Sequence, residues 1–140
     1  MNIFEITSPL FEYYSSVMEA SDVKIIKSAL FEKKYRKLLR NPQVKRAMNH
    51  FLDVKMDDPT QRVGKKDYPF TGNNAMGGVM HCHLTSDISI VYLVKGKNPT
   101  ELHFIDIGTH RDFGTGTPAS QNKFKSLSQR VNNYRTRVGI

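Results

Sequence analysis

Four of the five histidines in this 140-residue chain lie between positions 81 and 110, in company with carboxylates and cations. His81, His83 and Asp87 precede one apolar run, and His110, Arg111 and Asp112 follow the next. Imidazole has an ordinary pKa of about 6.5, close to working pH, so a pair of histidines can take one proton and give another. Metal-free cleavage of an RNA phosphodiester asks for that: a base for the 2′-hydroxyl, an acid for the leaving 5′-oxygen, and positive charge at the phosphate. His83 and His110 are the candidate pair, Asp87 the carboxylate that orients them, and Arg111, Lys65 and Lys66 the cations. Two other chemistries compete. His81-x-His83 would point two imidazoles to one side of a strand, as metal ligands can be, but no second tight pair completes a site. Cys82, the single cysteine, could be a thiol nucleophile; at the start of a strand it reads better as a small buried hydrophobe, and no internal disulfide can form.

Distant residues meet only if the chain turns back. Roughly 88–94 and 101–107 read as two strands around the turn-forming run Gly96-Lys97-Asn98-Pro99, a hairpin that returns His110 to the edge where His83 and Asp87 begin. His103 falls within the second strand and reads as a face residue bonded to a neighbour. Upstream, residues 23–27 read as a strand. Ser28, and then Asn41-Pro42, cap two successive helices with Phe31, Tyr35, Leu38 and Leu39 on one stripe and Val44, Met48, Phe51 and Leu52 on the other. Residues 8–20 have the spacing of a further amphipathic helix, and residues 1–7 that of an arm or edge strand. Residues 56–66 and 73–78 read as loop, and 114–118 as a linker. Phe124, Leu127, Val131 and Tyr134 predict a basic amphipathic helix in the tail. The order predicts one α+β domain, an antiparallel sheet with helices packed on one face.

The net charge is +8, and it is unevenly spread. Between Lys24 and Arg46 nine basic residues face Glu32 alone, and the tail from Gly114 carries Lys123, Lys125, Arg130, Arg135 and Arg137 with no acid. Such imbalance favours polyanionic partners, nucleic acid first. No apolar run reaches the roughly 18–20 residues of a membrane helix, and the start of the chain lacks the pattern of a signal peptide. A cytoplasmic protein is expected.

The segment Cys82-His83-Leu84-Thr85-Ser86-Asp87, an apolar strand with Tyr92, and Gly108-Thr109-His110 with Phe113 resemble the RelE/ParE superfamily of bacterial toxins, the YafQ-type ribonucleases above all. Lys66-Asp67-Tyr68-Pro69-Phe70-x-Gly72 is similar to that branch's Lys-Asp-His-Pro-Leu-x-Gly segment. The resemblance covers residues 22–114 and leaves an N-terminal helical extension, 1–21, and a basic tail, 115–140. It implies a RelE-like fold, a twisted antiparallel sheet against a helical hairpin. It also implies a metal-independent endoribonuclease without cofactor that cuts mRNA, often in the ribosomal A site of a bacterial or phage-infected cell, and leaves a 2′,3′-cyclic phosphate or 3′-phosphate. An antitoxin protein is the implied partner. His83 and His110 would be acid and base in either order, and Asp87 would support the histidines or the substrate. Tyr68 stands at the place of a catalytic histidine, Phe113 would pack against or stack on a base, and His81 is grouped with the substrate contacts. The chain departs from the pattern at Tyr68, at Met80 where an arginine is common, and at Ile88 where a tryptophan is common. The alternative is a non-catalytic protein on the same scaffold that binds RNA, the ribosome or a protein such as gyrase, as ParE-type relatives do.

Overall fold

Caps and proline punctuate the first half of the chain as their chemistry dictates. The computed structural model describes residues 23–70, 74–97, 99–114 and 121–140. In chain order these form β1 (Val23–Lys27), α1 (Ala29–Leu38), α2 (Pro42–Asp57), β2 (Asp67–Pro69), β3 (Met80–His83), β4 (Ile88–Lys95), β5 (Thr100–Thr109), α3 (His110–Phe113) and α4 (Gln121–Val138), with 3₁₀ turns at Gly64–Lys66 and Asn74–Met76. The expected arm, the helix over 8–20 and most of the linker lie outside the described residues. Ser28 Oγ accepts the Phe31 N–H at 2.9 Å to start α1, and Asn41 Oδ1 accepts the Gln43 N–H at 2.9 Å to start α2 behind Pro42. Ser28 also donates to the Ile105 carbonyl at 2.6 Å, which ties the head of α1 to β5.

The five strands form one sheet in the order β1-β5-β4-β3-β2. The central hairpin is the predicted one, with Ile88 opposite Thr109 and Lys95 opposite Glu101. β2 and β3, short and polar, extend it antiparallel on one side. β1 pairs with β5 in parallel, Val23 beside Thr100, so the sheet is mixed rather than antiparallel throughout. The reason is the connection. The two helices carry the chain from β1 to β2 at the opposite edge, and it returns through β3 and β4 to β5, so no tight turn joins β1 to its neighbour and the two can run the same way.

Both faces are covered, which corrects the expectation of helices on one face. Phe31 and Tyr35 of α1 and Val44, Met48, Phe51 and Leu52 of α2 bury against Cys82, Ile90, Tyr92, Leu102, Phe104 and Ile107. On the opposite face Leu127, Val131 and Tyr134 of α4 bury against Val79, Val91, Leu93, Ile105 and Phe113. The basic tail is therefore a structural layer. At about 1.5–3 kcal/mol for each large side chain buried, its stripe contributes substantially to the fold. A bulge lets β5 serve both cores: Val91 faces Asp106 and Tyr92 faces Phe104, leaving Ile105 as the extra residue. Past it the alternation shifts by one, so Phe104 and Ile107 share the helical-hairpin core while Ile105 joins the other.

Candidate active site

Strand alternation sorts the candidate residues by face. On β3, Met80 and Cys82 point to the helical-hairpin core, which leaves His81 and His83 on the α4 side. Cross-strand register then supplies the neighbours: Tyr68 of β2 lies opposite His81, and Ser89 of β4 lies opposite His83. The Gly108-Thr109-His110 motif has a steric and a capping cause. A Cβ at Gly108 would sit 2.7 Å from Asp112 Oδ2 and 3.2 Å from Lys34 Nζ, so any larger residue would push the Asp112 carboxylate out of its place. Thr109 Oγ1 accepts the Asp112 N–H at 3.0 Å, and Asp112 Oδ2 accepts the Thr109 N–H at 2.9 Å. This capping box opens α3 at His110. Asp112 is thus occupied as a cap.

The result is a cluster of rings at one end of the sheet. The His83 and His110 rings are 4.7 Å apart, and the His81 and His83 rings 5.5 Å. Tyr68 meets His81 edge-on at 4.2 Å, and Phe70 meets it with a tilted ring at 4.2 Å. Both nitrogens of His83 have hydroxyl neighbours: Tyr68 Oη lies 3.3 Å from Nε2 and Ser89 Oγ 3.3 Å from Nδ1. Asp87 receives the His110 backbone N–H on its carbonyl at 3.3 Å, and its carboxylate stands 3.9 Å from His110 Nδ1. That carboxylate is 66% exposed, so the ion pair itself is weak.

The electrostatics hold two of these rings neutral. Burial, then the neighbouring His83 and His110, push His81 down to about 4. Burial, then His110 and Lys66, hold His83 below the ordinary histidine range. A neutral His83 is a competent proton acceptor at neutral pH. Burial and the nearby Asp67 raise the Cys82 thiol to about 12, so it is a buried hydrophobe and no nucleophile. Among the described residues no group of three or more His, Cys, Asp or Glu side chains could hold a metal ion.

Of the residues picked out from the sequence, His83, His110, Asp87, Tyr68 and His81 come together, and Lys66 acts on His83 through its charge. Lys65 and Arg111 are exposed and make no described contact with the rings. Phe113 is a correction. It is 2% exposed in the α4-side core, with Lys34 Nζ 5.3 Å from its ring centroid, so it packs and offers no face to a base. The short helix α3 turns it inward, where Leu127 and Val131 complete the core. Met80 lies against the helical-hairpin core and supplies no cation where an arginine is common. His103 is structural: its Nδ1 meets the Tyr134 hydroxyl at 2.5 Å and its Nε2 meets Glu101 at 2.9 Å, joining β5 to α4. Ser89 was missed. Its only signal is a hydroxyl two residues after Asp87 in an otherwise apolar strand, which is informative only once its register against His83 is known.

No protein-family model matches the chain, and no curated protein does. Solved structures do. A YoeB/ParE toxin from Agrobacterium tumefaciens is 21% identical with a TM-score of 0.54, over 62% of this chain and 98% of its own. The E. coli DinJ–YafQ toxin–antitoxin complex contains a chain 18% identical with a TM-score of 0.53, over 64% of this chain and 94% of that one. A copper-bound mutant toxin from Helicobacter pylori is 26% identical with a TM-score of 0.51, over 62% and 93%. This chain therefore has the fold of the RelE/ParE-type toxins, YafQ among them.

Proposed function

We propose that this chain is a metal-independent endoribonuclease of the toxin type, cutting mRNA by general acid–base catalysis. The observation that carries the proposal is the His83–His110 pair, 4.7 Å apart at an open end of the sheet, with His83 held neutral. His83 is then the base side of the pair, and His110 is left as the donor to the 5′-oxygen. The 2′-oxygen attacks phosphorus, the bond to the 5′-oxygen breaks, and a 2′,3′-cyclic phosphate remains. Lys66 is the nearest candidate to stabilise the phosphate's added charge, since Met80 brings none. The cationic outer face of α1, with Lys33, Arg36 and Lys37 exposed and Arg40 exposed just beyond its end, suits an extended RNA or the ribosome. An antitoxin partner is part of the proposal, because the E. coli YafQ structure is of a complex with DinJ. The chain would act in the cytoplasm; among the described residues no helix is long and apolar enough to cross a membrane.

The test is cleavage of an mRNA, free and ribosome-bound, with chelator present, by wild type, His83→Ala and His110→Ala. Chelator-resistant cutting with cyclic-phosphate ends, reduced by about 10²–10⁴ in each variant, is expected. Cutting that survives both substitutions overturns the site. Tight RNA or ribosome binding with no cutting turns the reading to a non-catalytic binding protein on this scaffold.

A further inference from the structure

His83 has no nitrogen to spare. Each ring nitrogen of a neutral imidazole offers one site, an N–H or a lone pair, and the protein's own hydroxyls stand 3.3 Å from both. A substrate hydroxyl seeking Nε2 would have to displace Tyr68. The packing opposes that, because Tyr68 leans edge-on against His81, His81 against Phe70, and Phe70 against Phe124 of α4 at 5.9 Å. Tyr68 is also the outermost member, 39% exposed where His83 is only part-exposed.

We propose that Tyr68, His83 and Ser89 form a linear proton relay in which the Tyr68 phenol, and not His83, touches the substrate hydroxyl. The relay rests on the ribonuclease reading above and assigns its base. A phenol is a stronger proton donor than an alkyl hydroxyl, and a serine oxygen the better acceptor, which orders the chain. Tyr68 O–H donates to His83 Nε2, and His83 Nδ1–H donates to Ser89 Oγ. As the 2′-oxygen bonds to phosphorus, its proton passes to Tyr68 Oη while the phenol's own proton passes to Nε2. His83 becomes imidazolium, and Tyr68 ends neutral as it began. His110 meanwhile gives one proton to the departing 5′-oxygen, so one proton enters the pair and one leaves. A phenol is a poor base alone; in a relay it never has to exist as phenolate. Tyr68 is thus a catalytic residue, and Ser89 a positioning residue that selects the tautomer. The 3.3 Å separations are long for such bonds and match a resting site that tightens when substrate binds.

The test pairs nitrogen NMR of the histidines in the free, full-length protein with RNA cleavage. Wild-type His83 is expected as the Nδ1–H tautomer, and Ser89→Ala should convert it towards Nε2–H without unfolding the chain. Tyr68→Phe, which keeps the ring and its stacking, should retain RNA binding and lose cleavage by about 10²–10⁴. Wild-type His83 found as Nε2–H, or a Tyr68→Phe variant that cuts as fast as wild type, overturns the relay and leaves the ribonuclease standing. A wild type that cuts no RNA overturns the ribonuclease reading and the relay with it. Only in that case does cleavage fail before any substitution.

Discussion

Lys55→Met probes whether the sheet edge that presents Tyr68 is held by buried charge. Lys55, near the end of α2, has a side chain 2% exposed, and Asp67 beside it at the head of β2 is 0% exposed. Nζ lies 2.9 Å from Asp67 Oδ2, donates to the Gln61 carbonyl, and sits 4.9 Å from the Tyr92 ring centroid. The carboxylate also accepts the Val63 N–H at 2.8 Å and the Tyr92 hydroxyl. Burial and the bond to Asp67 push the Tyr92 phenol above its ordinary range, so it remains a neutral donor. Removing the ammonium therefore leaves a full negative charge in the core with two neutral donors. Breaking a buried pair from one side costs about 3–5 kcal/mol, against a total domain stability of about 5–15 kcal/mol. The melting temperature should fall by roughly 10–20 °C. Lys55→Met combined with Asp67→Asn removes both charges and should cost clearly less than the two single changes added together. Urea unfolding of the four proteins, followed by circular dichroism, measures this coupling. A loss below about 1 kcal/mol for Lys55→Met, the value of an exposed pair, or strict additivity in the cycle, would refute the argument.

Two further outcomes follow from packing and charge. His81 is held at about 4 by burial first and then by His83 and His110, below its unfolded value near 6.5. The unfolded chain then binds the extra proton between these values, so stability is full above about pH 6.5 and falls as pH drops towards 4, by at most about 3 kcal/mol. His83 contributes with the same sign. His81→Phe should flatten that decline in urea midpoints measured across the window, and an equally steep decline in the variant would assign the acid sensitivity elsewhere. On α4, Leu127 is fully buried, so Leu127→Ala should cost about 2–5 kcal/mol, whereas Lys125→Ala at an exposed position should change stability by less than about 0.5 kcal/mol. Equal thermal shifts for the two would mean that α4 does not pack as described.

The elements with strong local signals were legible. β1, both helices of the hairpin and the β4–β5 pair announce themselves through caps, proline and apolar spacing, and the tail helix through its stripe. β3 was read only as far as a strand carrying His81, Cys82 and His83, and β2 was not read at all, because a three-residue Asp-Tyr-Pro has little signal of its own and is a strand only beside β3. The parallel placement of β1 and the second core under α4 were also out of reach. Strand direction depends on the chain's route through space, and a four-residue stripe does not say which surface it covers. That second core changes how the tail's charge can be tested. Deleting α4 would expose Val91, Leu93 and Ile105 along with removing its cations, so only substitutions at exposed positions such as Lys123 or Lys125 isolate electrostatics.

In the site, legibility followed the difference between residue type and residue register. His83, Asp87 and His110 could be picked out because a hairpin must return one end to the other, and proton chemistry is written in the side chains themselves. Phe113 was misassigned as an accessible ring because a phenylalanine after a short helix has the same sequence signal whether it turns inward or outward; Leu127 and Val131, far along the chain, decide it. Ser89 and the Lys55–Asp67–Tyr92 network were invisible for a related reason. Each is a polar residue of ordinary type whose meaning comes from one partner across a strand or between layers. The two are physically joined. Asp67 and Tyr68 are consecutive in β2, so the alternation that buries the Asp67 carboxylate against Lys55 turns the Tyr68 hydroxyl towards His83. The buried charge on one face of the edge strand thereby fixes where the Tyr68 hydroxyl stands on the other.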